Sequence, residues 1–166
     1  MNNLFLLDII GMRTQFFEID YELGKISETN SLKDLENIFD CKLNQSTNQY
    51  SNFDYFGENI FVELKTRTNI VYKNNKFYYK SRKGNESILP TLYFDSPKLT
   101  FAKKNNNGNN KFYIVWKCQN CYAYYKINFD EDQCDYFIKP DYNDYGKGYK
   151  QHRNIVNVFS DLTTIK

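Results

Sequence analysis

The sequence predicts a mixed α/β fold, in which helices flank one central sheet. Two observations support this class. Hydrophobic residues make up 41% of the chain and aromatic residues 18%, which favours a folded, strand-rich protein. Short strand-like runs also alternate with helical patterns, and we see no internal repeat or linker between them. Because 166 residues suit one domain with a real core, we expect residues 1–166 to form a single domain.

The first 40 residues carry apolar side chains at helical spacing in two stretches. TQFFEIDYELGKI shows a rough apolar stripe. TNSLKDLENIF repeats the spacing, with Asn30 or Ser31 as a candidate N-cap. The sequence therefore predicts helices here, the second beginning near Asn30.

Strand signals follow the helices. CKLNQST reads as a short strand, and SNFDYFG and NIFVELKTRT read as two strands joined at Gly57-Glu58-Asn59. IVYKNNKFYYKS resembles a second hairpin that turns at Asn74-Asn75. These turn residues favour antiparallel pairs, so the sequence predicts two hairpins in succession.

The second half of the chain returns to a helix and then to strands. SPKLTFAKK predicts a short helix, because Pro97 suits the first helical position after a cap at Asp95 or Ser96. NNNGNN is a loop, and KFYIVWKC and CYAYYKINF are expected to pair around Gln119-Asn120. Residues 139–152 look like an exposed loop, NIVNVF like a last strand, and SDLTTI like a capped final turn.

The charges are distributed unevenly along the chain. Residues 1–64 hold 4 basic and 11 acidic side chains, whereas residues 65–126 hold 13 basic and 2 acidic ones. Such asymmetry points to a polyanionic partner. A lysine-rich surface without a specific partner is the alternative.

No leader peptide and no apolar stretch long enough for a membrane span is evident in the sequence. We therefore expect an intracellular protein with reduced thiols and no membrane partner. Cys118 and Cys121 have CxxC spacing, but they look like two strand ends that flank a turn. A structural zinc site would need further ligands, such as Cys41, Cys134 or His152.

One strand carries a charged pair. Residues i and i+2 of a strand point to the same face, so Glu63 and Lys65 project together while Val62 and Leu64 point into a core. Such a pair is costly to bury without partners. Asp54 lies just before the hairpin that leads into this strand, so two carboxylates on neighbouring strands can hold one divalent cation. The alternative is a surface hairpin with a simple ion pair.

Asp54, followed nine residues later by Glu63-Leu64-Lys65, resembles the motif of the PD-(D/E)XK nuclease superfamily. That group includes restriction endonucleases, junction resolvases and many viral and phage nucleases. In the family the aspartate begins one strand of a hairpin and E-x-K lies in the next. The extended form ELKTR is also common there, whereas the family's proline before the aspartate is replaced by Phe53.

The resemblance implies a restriction-endonuclease-like mixed central sheet flanked by helices, over about residues 30–130. A helix precedes the hairpin in that family, and a helix and further strands follow it. Many members carry a glutamate on the preceding helix that completes the metal site. Glu36 is the best candidate for it here, with Glu22 and Glu18 as alternatives.

The site implied by the motif holds Mg²⁺, for which Mn²⁺ can substitute. Its ligands would be Asp54, Glu63 and the backbone carbonyl of Leu64, with waters filling the remaining positions. A metal ion there polarises a phosphodiester and lowers the pKa of a bound water. Lys65 would orient that water or stabilise the developing negative charge.

The basic segment after this strand interleaves cations with tyrosine and phenylalanine. Cations contact phosphates, and aromatic rings stack on unpaired bases. An ordinary amphipathic hairpin, with lysines outward and aromatics inward, is the alternative. The candidate nucleic-acid-binding residues are Arg67, Lys73, Lys76, Lys80, Arg82, Lys83 and, on the second helix, Lys98.

The sequence thus predicts a magnesium-dependent endonuclease that cleaves DNA, in the cytoplasm or nucleus of a host cell or in a virion. A non-catalytic nucleic-acid-binding or structural module of the same fold is the alternative, and an RNA-directed enzyme is a third reading. The resemblance also implies a homodimer, because many relatives cut both strands as dimers.

Overall fold

The computed structural model describes residues 23–48, 51–129, 136–138, 151–157 and 162–165. The chain divides into two compact units, residues 1–40 and residues 41–166, a boundary that the expectation of one domain did not include. Most of the first predicted helical stretch lies outside the described residues. No helix among the described residues is long and apolar enough to cross a membrane.

The first unit contains one described helix, α1, which runs without a break through residues 23–39. The predicted helix start at Asn30 or Ser31 is therefore wrong. The Ser31 hydroxyl lies inside the helix and donates a hydrogen bond of 2.7 Å to the carbonyl of Ser27. A serine bonded in this way continues a helix although it is also a common N-cap residue. The helix ends before Asp40, whose φ is 49°.

The second unit is built mainly of strands, together with the helix α2 (Ser96–Lys104). The described strands are β1 (Asn44–Gln45), β2 (Tyr55–Gly57), β3 (Ile60–Arg67), β4 (Ile70–Lys73), β5 (Lys76–Lys80), β6 (Glu86–Ile88), β7 (Thr91–Asp95), β8 (Lys111–Cys118), β9 (Tyr122–Lys126), β10 (Tyr136–Ile138), β11 (Gln151–Asn157) and β12 (Thr163–Ile165).

The largest sheet has the order β1-β2-β3-β8-β9-β12. Its strands pair antiparallel except for β3 and β8, which run parallel with Glu63 opposite Ile114. A parallel pair needs a long crossover connection, and the chain between Arg67 and Lys111 supplies it, including α2. The predicted mixed α/β architecture with a mixed central sheet is confirmed at this level.

Local turn chemistry explains the hairpins, which lie where the sequence predicts them. Asn59 has a φ of 57°, and Asn74 and Asn75 have φ values of 51° and 57°. Asparagine tolerates this left-handed region, which two-residue hairpin turns require. α2 likewise begins as predicted, with Asp95 as the N-cap and a proline in its first turn.

Two smaller sheets complete the described fold, with the orders β4-β5-β6 and β10-β11-β7. The first is attached to the turn between β8 and β9. The Gln119 N–H donates to the Ile70 carbonyl at 2.9 Å, and Asn120 exchanges two hydrogen bonds with the backbone of Tyr72 at 2.9 and 2.7 Å. The turn thus holds the small sheet in place.

The sequence did not predict β7, and two other expectations near the C-terminus are wrong. β11 begins at Gln151, so His152 has strand backbone rather than the expected loop conformation. Thr163–Ile165 form a strand rather than a capped turn. In each case a partner distant in sequence decides the outcome, because β11 pairs with β7 and β12 pairs with β9.

The main core packs on one face of the large sheet. Phe112, Ile114 and Trp116 of β8 are almost fully buried there. α2 contributes Leu99 and Ala102 to the same cluster, so the helix covers this face of the sheet. The core is rich in aromatic rings, which bury more area than aliphatic side chains and dominate core energetics.

Candidate active site

Glu63 and Lys65 extend from the same face of β3, as the two-residue period predicts. The Lys65 Nζ lies 3.6 Å from Glu63 Oε1. Val62 and Leu64 point to the opposite face and are buried, which is also as predicted. Only 7% of Glu63 is exposed, so this charged residue is a buried one.

The charged pair lies at the edge of the main core. Glu63 and Lys65 are opposite Ile114 and Trp116 in the parallel pair, and both of those residues are fully buried. Phe61, on the same face, stacks on Phe112 with ring centroids 4.9 Å apart. A charge beside such an apolar cluster is stable only when it is paired or hydrogen-bonded.

The helix α2 and its N-cap residue, Asp95, supply the partners. Lys98 Nζ lies 2.9 Å from Glu63 Oε2, and Lys65 Nζ lies 3.1 Å from Asp95 Oδ2. The side chains of Lys98 and Glu63 are only 15% and 9% exposed, so this ion pair is shielded from water, whereas Asp95 is 43% exposed. Asp95 makes no side-chain cap bond to its own helix, and instead it binds Lys65.

Asp54 directly precedes β2, and its side chain contacts the backbone of β3. The backbone pairing of β2 and β3 ends at Tyr55 opposite Val62, and beyond it the Leu64 N–H donates a hydrogen bond of 2.7 Å to Asp54 Oδ2. If the antiparallel register is continued by one residue, Asp54 stands opposite Glu63. The hairpin therefore brings together the three residues of the predicted motif.

We call this group the carboxylate–lysine cluster: Asp54, Glu63, Lys65, Asp95 and Lys98. Sequence reasoning missed Asp95 as a site residue, and it assigned Lys98 to an outer basic surface. A signal for both was present. They are three residues apart at a helix start, a spacing that places side chains on one side of the first turn.

The cluster combines carboxylates, which bind hard metal ions, with ammonium groups, which bind phosphate. Carboxylate and carbonyl oxygens are the ligands that Mg²⁺ prefers, and it usually needs only one or two carboxylates from the protein. Asp54, Glu63 and the Leu64 carbonyl carry oxygens of this kind, and both oxygens of Glu63 are close to lysines. Within the described part of the chain, no group of three or more His, Cys, Asp or Glu residues is arranged to hold a metal ion.

The predicted fourth residue, Glu36, lies on α1 in the first unit, and its side chain is half-buried. Its role in completing the site stays a prediction. Glu18 and Glu22, the alternatives, lie outside the described residues.

The predicted nucleic-acid-binding residues lie in different surroundings. Arg67, Lys80 and Arg82 line one cleft of about 630 Å³. Lys73 pairs with Glu86, and its ammonium lies 4.8 Å from the centre of the Tyr78 ring. The hydrogen bond from Lys73 lowers the pKa of Glu86.

The remaining basic candidates differ in exposure. Lys76 and Lys83 are exposed. Lys98 lies in the carboxylate–lysine cluster, and its ammonium also approaches the Phe53 ring, at 5.9 Å from the ring centre.

The CxxC cysteines flank the turn between β8 and β9, as predicted. The Cys118 N–H donates to the Cys121 carbonyl at 2.9 Å, and both cysteines are buried and form no disulfide bond. A hydrogen bond with Cys121, together with burial, raises the pKa of the Cys118 thiol, which therefore stays protonated. Of the other zinc ligands considered, Cys134 lies outside the described residues.

No family model, no curated protein and no solved structure matches this chain.

Proposed function

We propose that the chain is a metal-dependent nuclease that hydrolyses phosphodiester bonds in DNA. One observation carries the proposal: the Leu64 N–H bonds Asp54 at 2.7 Å, which brings the aspartate of the motif to the strand of Glu63 and Lys65. Two lysine ammonium groups stand beside the Glu63 carboxylate, at 2.9 and 3.6 Å. Such a set suits a substrate that is itself an anion.

The order of elements supports a restriction-endonuclease-like fold as part of this proposal. The helix α1 precedes the β2–β3 hairpin, the second strand of that hairpin carries E-x-K, and α2 and β8 come later in the chain. This is the order that the family resemblance implies. The β4-β5-β6 sheet would be an insertion between the E-x-K strand and the helix.

The proposed metal ligands are Asp54, Glu63 and the Leu64 carbonyl. The N–H and C=O groups of a strand residue point towards the same neighbouring strand. The Leu64 N–H meets Asp54, so its carbonyl points to the same side. Bound Mg²⁺ or Mn²⁺ would polarise the phosphodiester and lower the pKa of an attached water.

The side chains around this position have separate roles in the proposed reaction. Lys65 donates hydrogen bonds to the substrate phosphate or to the attacking water, and stabilises the negative charge that develops at phosphorus. Asp95, 3.1 Å from the Lys65 ammonium, is a positioning residue that holds Lys65 in place. Lys98 holds the Glu63 carboxylate in a fixed orientation through their bond of 2.9 Å.

Metal-dependent cutting tests the proposal. Plasmid DNA, single-stranded DNA and RNA are incubated with the protein and Mg²⁺ or Mn²⁺, alongside Lys65→Ala and Glu63→Gln. We expect each substitution to reduce cutting by about 10²- to 10³-fold, as removal of one charge-stabilising group does elsewhere. Glu58→Gln is the matched control, because Glu58 is exposed in the turn of the same hairpin.

Thermal unfolding of each variant is measured in parallel, because Glu63→Gln removes the carboxylate that pairs with the mostly buried Lys98. Metal-dependent cutting that survives Lys65→Ala in a folded protein would refute the proposed site. Cutting of RNA in preference to DNA would redirect the proposal to the RNA-directed enzyme.

A non-catalytic nucleic-acid-binding module is the second candidate, and a specific observation favours it. Both oxygens of Glu63 are already close to lysines, and Asp54 Oδ2 already accepts a backbone hydrogen bond. Such a cluster can serve as a structural ion-pair network. Salt-sensitive nucleic-acid binding without cutting, under every metal condition, would establish this function.

A further inference from the structure

A polar cleft of about 630 Å³ opens where β3 ends, beyond the carboxylate–lysine cluster. Its walls come from the end of β3 and from the end of β5 with the residues after it. The lining includes Thr66, Arg67, Tyr79, Lys80, Ser81 and Arg82. Its volume is in the range of pockets that take a single small ligand.

The lining chemistry selects for an anion. Three cationic side chains, Arg67, Lys80 and Arg82, border the cleft, and none of its lining residues carries a carboxylate. Hydroxyl groups stand among the cations. Arginine, lysine and hydroxyl side chains are the groups that contact phosphate oxygens in nucleic-acid complexes.

One aromatic residue, Tyr79, lines the same cleft. Tyr79 is 41% exposed, although it stands opposite Ile70 in the β4–β5 pair and Ile70 is buried. A ring supported by its strand and open to a cationic cleft can stack on an unpaired base. A base that is paired inside a duplex does not present its face in this way.

The strand β3 connects the cleft to the proposed site of cutting. Lys65 and Arg67 are two residues apart, so they point to the same face and lie about 7 Å apart along the strand. A nucleic-acid strand with one phosphate at Lys65 can therefore follow β3 and bring a neighbouring nucleotide into the cleft.

We propose that this cleft binds one nucleotide of a single-stranded nucleic acid, with its phosphate on Arg67, Lys80 and Arg82 and its base stacked on Tyr79. The inference rests on the proposed function for the position of the cut. It adds the substrate class, which is single-stranded DNA or a single-stranded flank beside a duplex.

Binding in the absence of divalent metal tests the cleft separately from cutting. A fluorescein-labelled oligo-dT of about 12 nucleotides, within the usual single-strand site sizes, is titrated in EDTA and followed by fluorescence anisotropy. We expect Tyr79→Leu to weaken binding by about 5- to 100-fold and Tyr79→Phe to leave it unchanged. A blunt duplex of equal length should bind less tightly than the single strand.

A second pair of variants tests the cations. Arg82→Gln should weaken binding and lower the slope of log K against log salt by about 0.7, the value for one phosphate contact on a single strand. Lys83→Gln is the matched control, because Lys83 is exposed and adjacent in sequence but does not line the cleft. Equal losses in the two variants would overturn the cleft as the binding site.

The two proposals fail in different ways. If Tyr79→Leu binds oligo-dT as tightly as the unsubstituted protein, the cleft is refuted even when Lys65→Ala abolishes cutting. If oligo-dT binds in a Tyr79-dependent manner but no metal ion supports cutting, the cleft stands and the nuclease proposal falls. Tighter binding of the duplex than of the single strand would also refute the substrate class.

Discussion

Glu63 shows how a single residue depends on its neighbours. Its carboxylate lies at the edge of an aromatic core, where an unpaired charge is costly, and Lys98 from α2 supplies its nearest ammonium at 2.9 Å. The sequence predicted that Glu63 and Lys65 share a face, because side chains two residues apart in a strand point to the same side. It did not reveal Lys98 as a partner, because the direction of a helical side chain depends on how the helix packs against the sheet.

At this scale we predict that Lys98→Met lowers the free energy of unfolding by on the order of 3 kcal/mol, the cost of breaking a buried ion pair from one side. Urea unfolding followed by circular dichroism measures it. Lys103→Met is the control, because Lys103 is exposed in the last turn of the same helix, and should change stability by less than about 0.5 kcal/mol. A similar loss in both variants would mean that the Glu63–Lys98 bond does not stabilise the fold.

At the scale of elements, the β2–β3 hairpin is the unit that assembles the predicted motif. Its turn residues predicted this hairpin from the sequence, as Asn74 and Asn75 predicted the β4–β5 hairpin, because turn signals are local. By contrast, β7, the start of β11 and β12 depend on partners far along the chain, which no local pattern specifies. The candidate site was predictable to the same extent: Asp54, Glu63 and Lys65 lie in one hairpin, whereas Asp95 and Lys98 come from outside it.

The β2–β3 hairpin packs closely against the backbone of Lys42 at Gly57, which leads to a further prediction. A Cβ added at Gly57 would lie 2.5 Å from the Lys42 carbonyl oxygen, which is backbone and cannot move freely. Gly57→Ala should therefore destabilise the protein by about 1–3 kcal/mol, the usual cost of overpacking. Thermal unfolding measures the change.

Gly24→Ala is the matched control for that substitution. Nothing lies within 4 Å of the added Cβ at Gly24, and alanine is the better helix former, so this change should be neutral or stabilising. A Gly57→Ala protein as stable as the unsubstituted one would contradict the close approach of β2 to Lys42.

At the scale of the whole molecule, the uneven charge distribution pointed to a polyanion, and in the structure five of the cations in residues 65–126 form two sets. The two acidic residues of this stretch, Glu86 and Asp95, pair with lysines. Lys65 and Lys98 turn inward to carboxylates, while Arg67, Lys80 and Arg82 gather at the cleft. A count of charges could not separate these two sets, because the separation arises from the fold. The homodimer that the resemblance implies stays a prediction.

Metal binding, if it occurs at the proposed ligands, must stabilise the folded protein as a whole. At a metal concentration about 100 times its Kd, we expect a gain of about 2.7 kcal/mol in the free energy of unfolding. Thermal unfolding with and without Mn²⁺ measures this gain without any substrate. Asp54→Asn should remove most of the gain and Glu58→Gln should retain it. An equal gain in both variants would place the metal elsewhere.

The small β4-β5-β6 sheet lies entirely between the last residue of β3 and the first residue of β7. Most of the cleft lining thus comes from a stretch separate from the carboxylate–lysine cluster, whereas Thr66 and Arg67 belong to β3 itself. Replacement of this stretch would change which nucleic acid the cleft binds. It would leave the Glu63–Lys98 bond in place, because both residues lie outside the replaced part. Any replacement must still present backbone N–H and C=O groups to Asn120, as Tyr72 does. The β8–β9 turn therefore limits which segments can replace the small sheet.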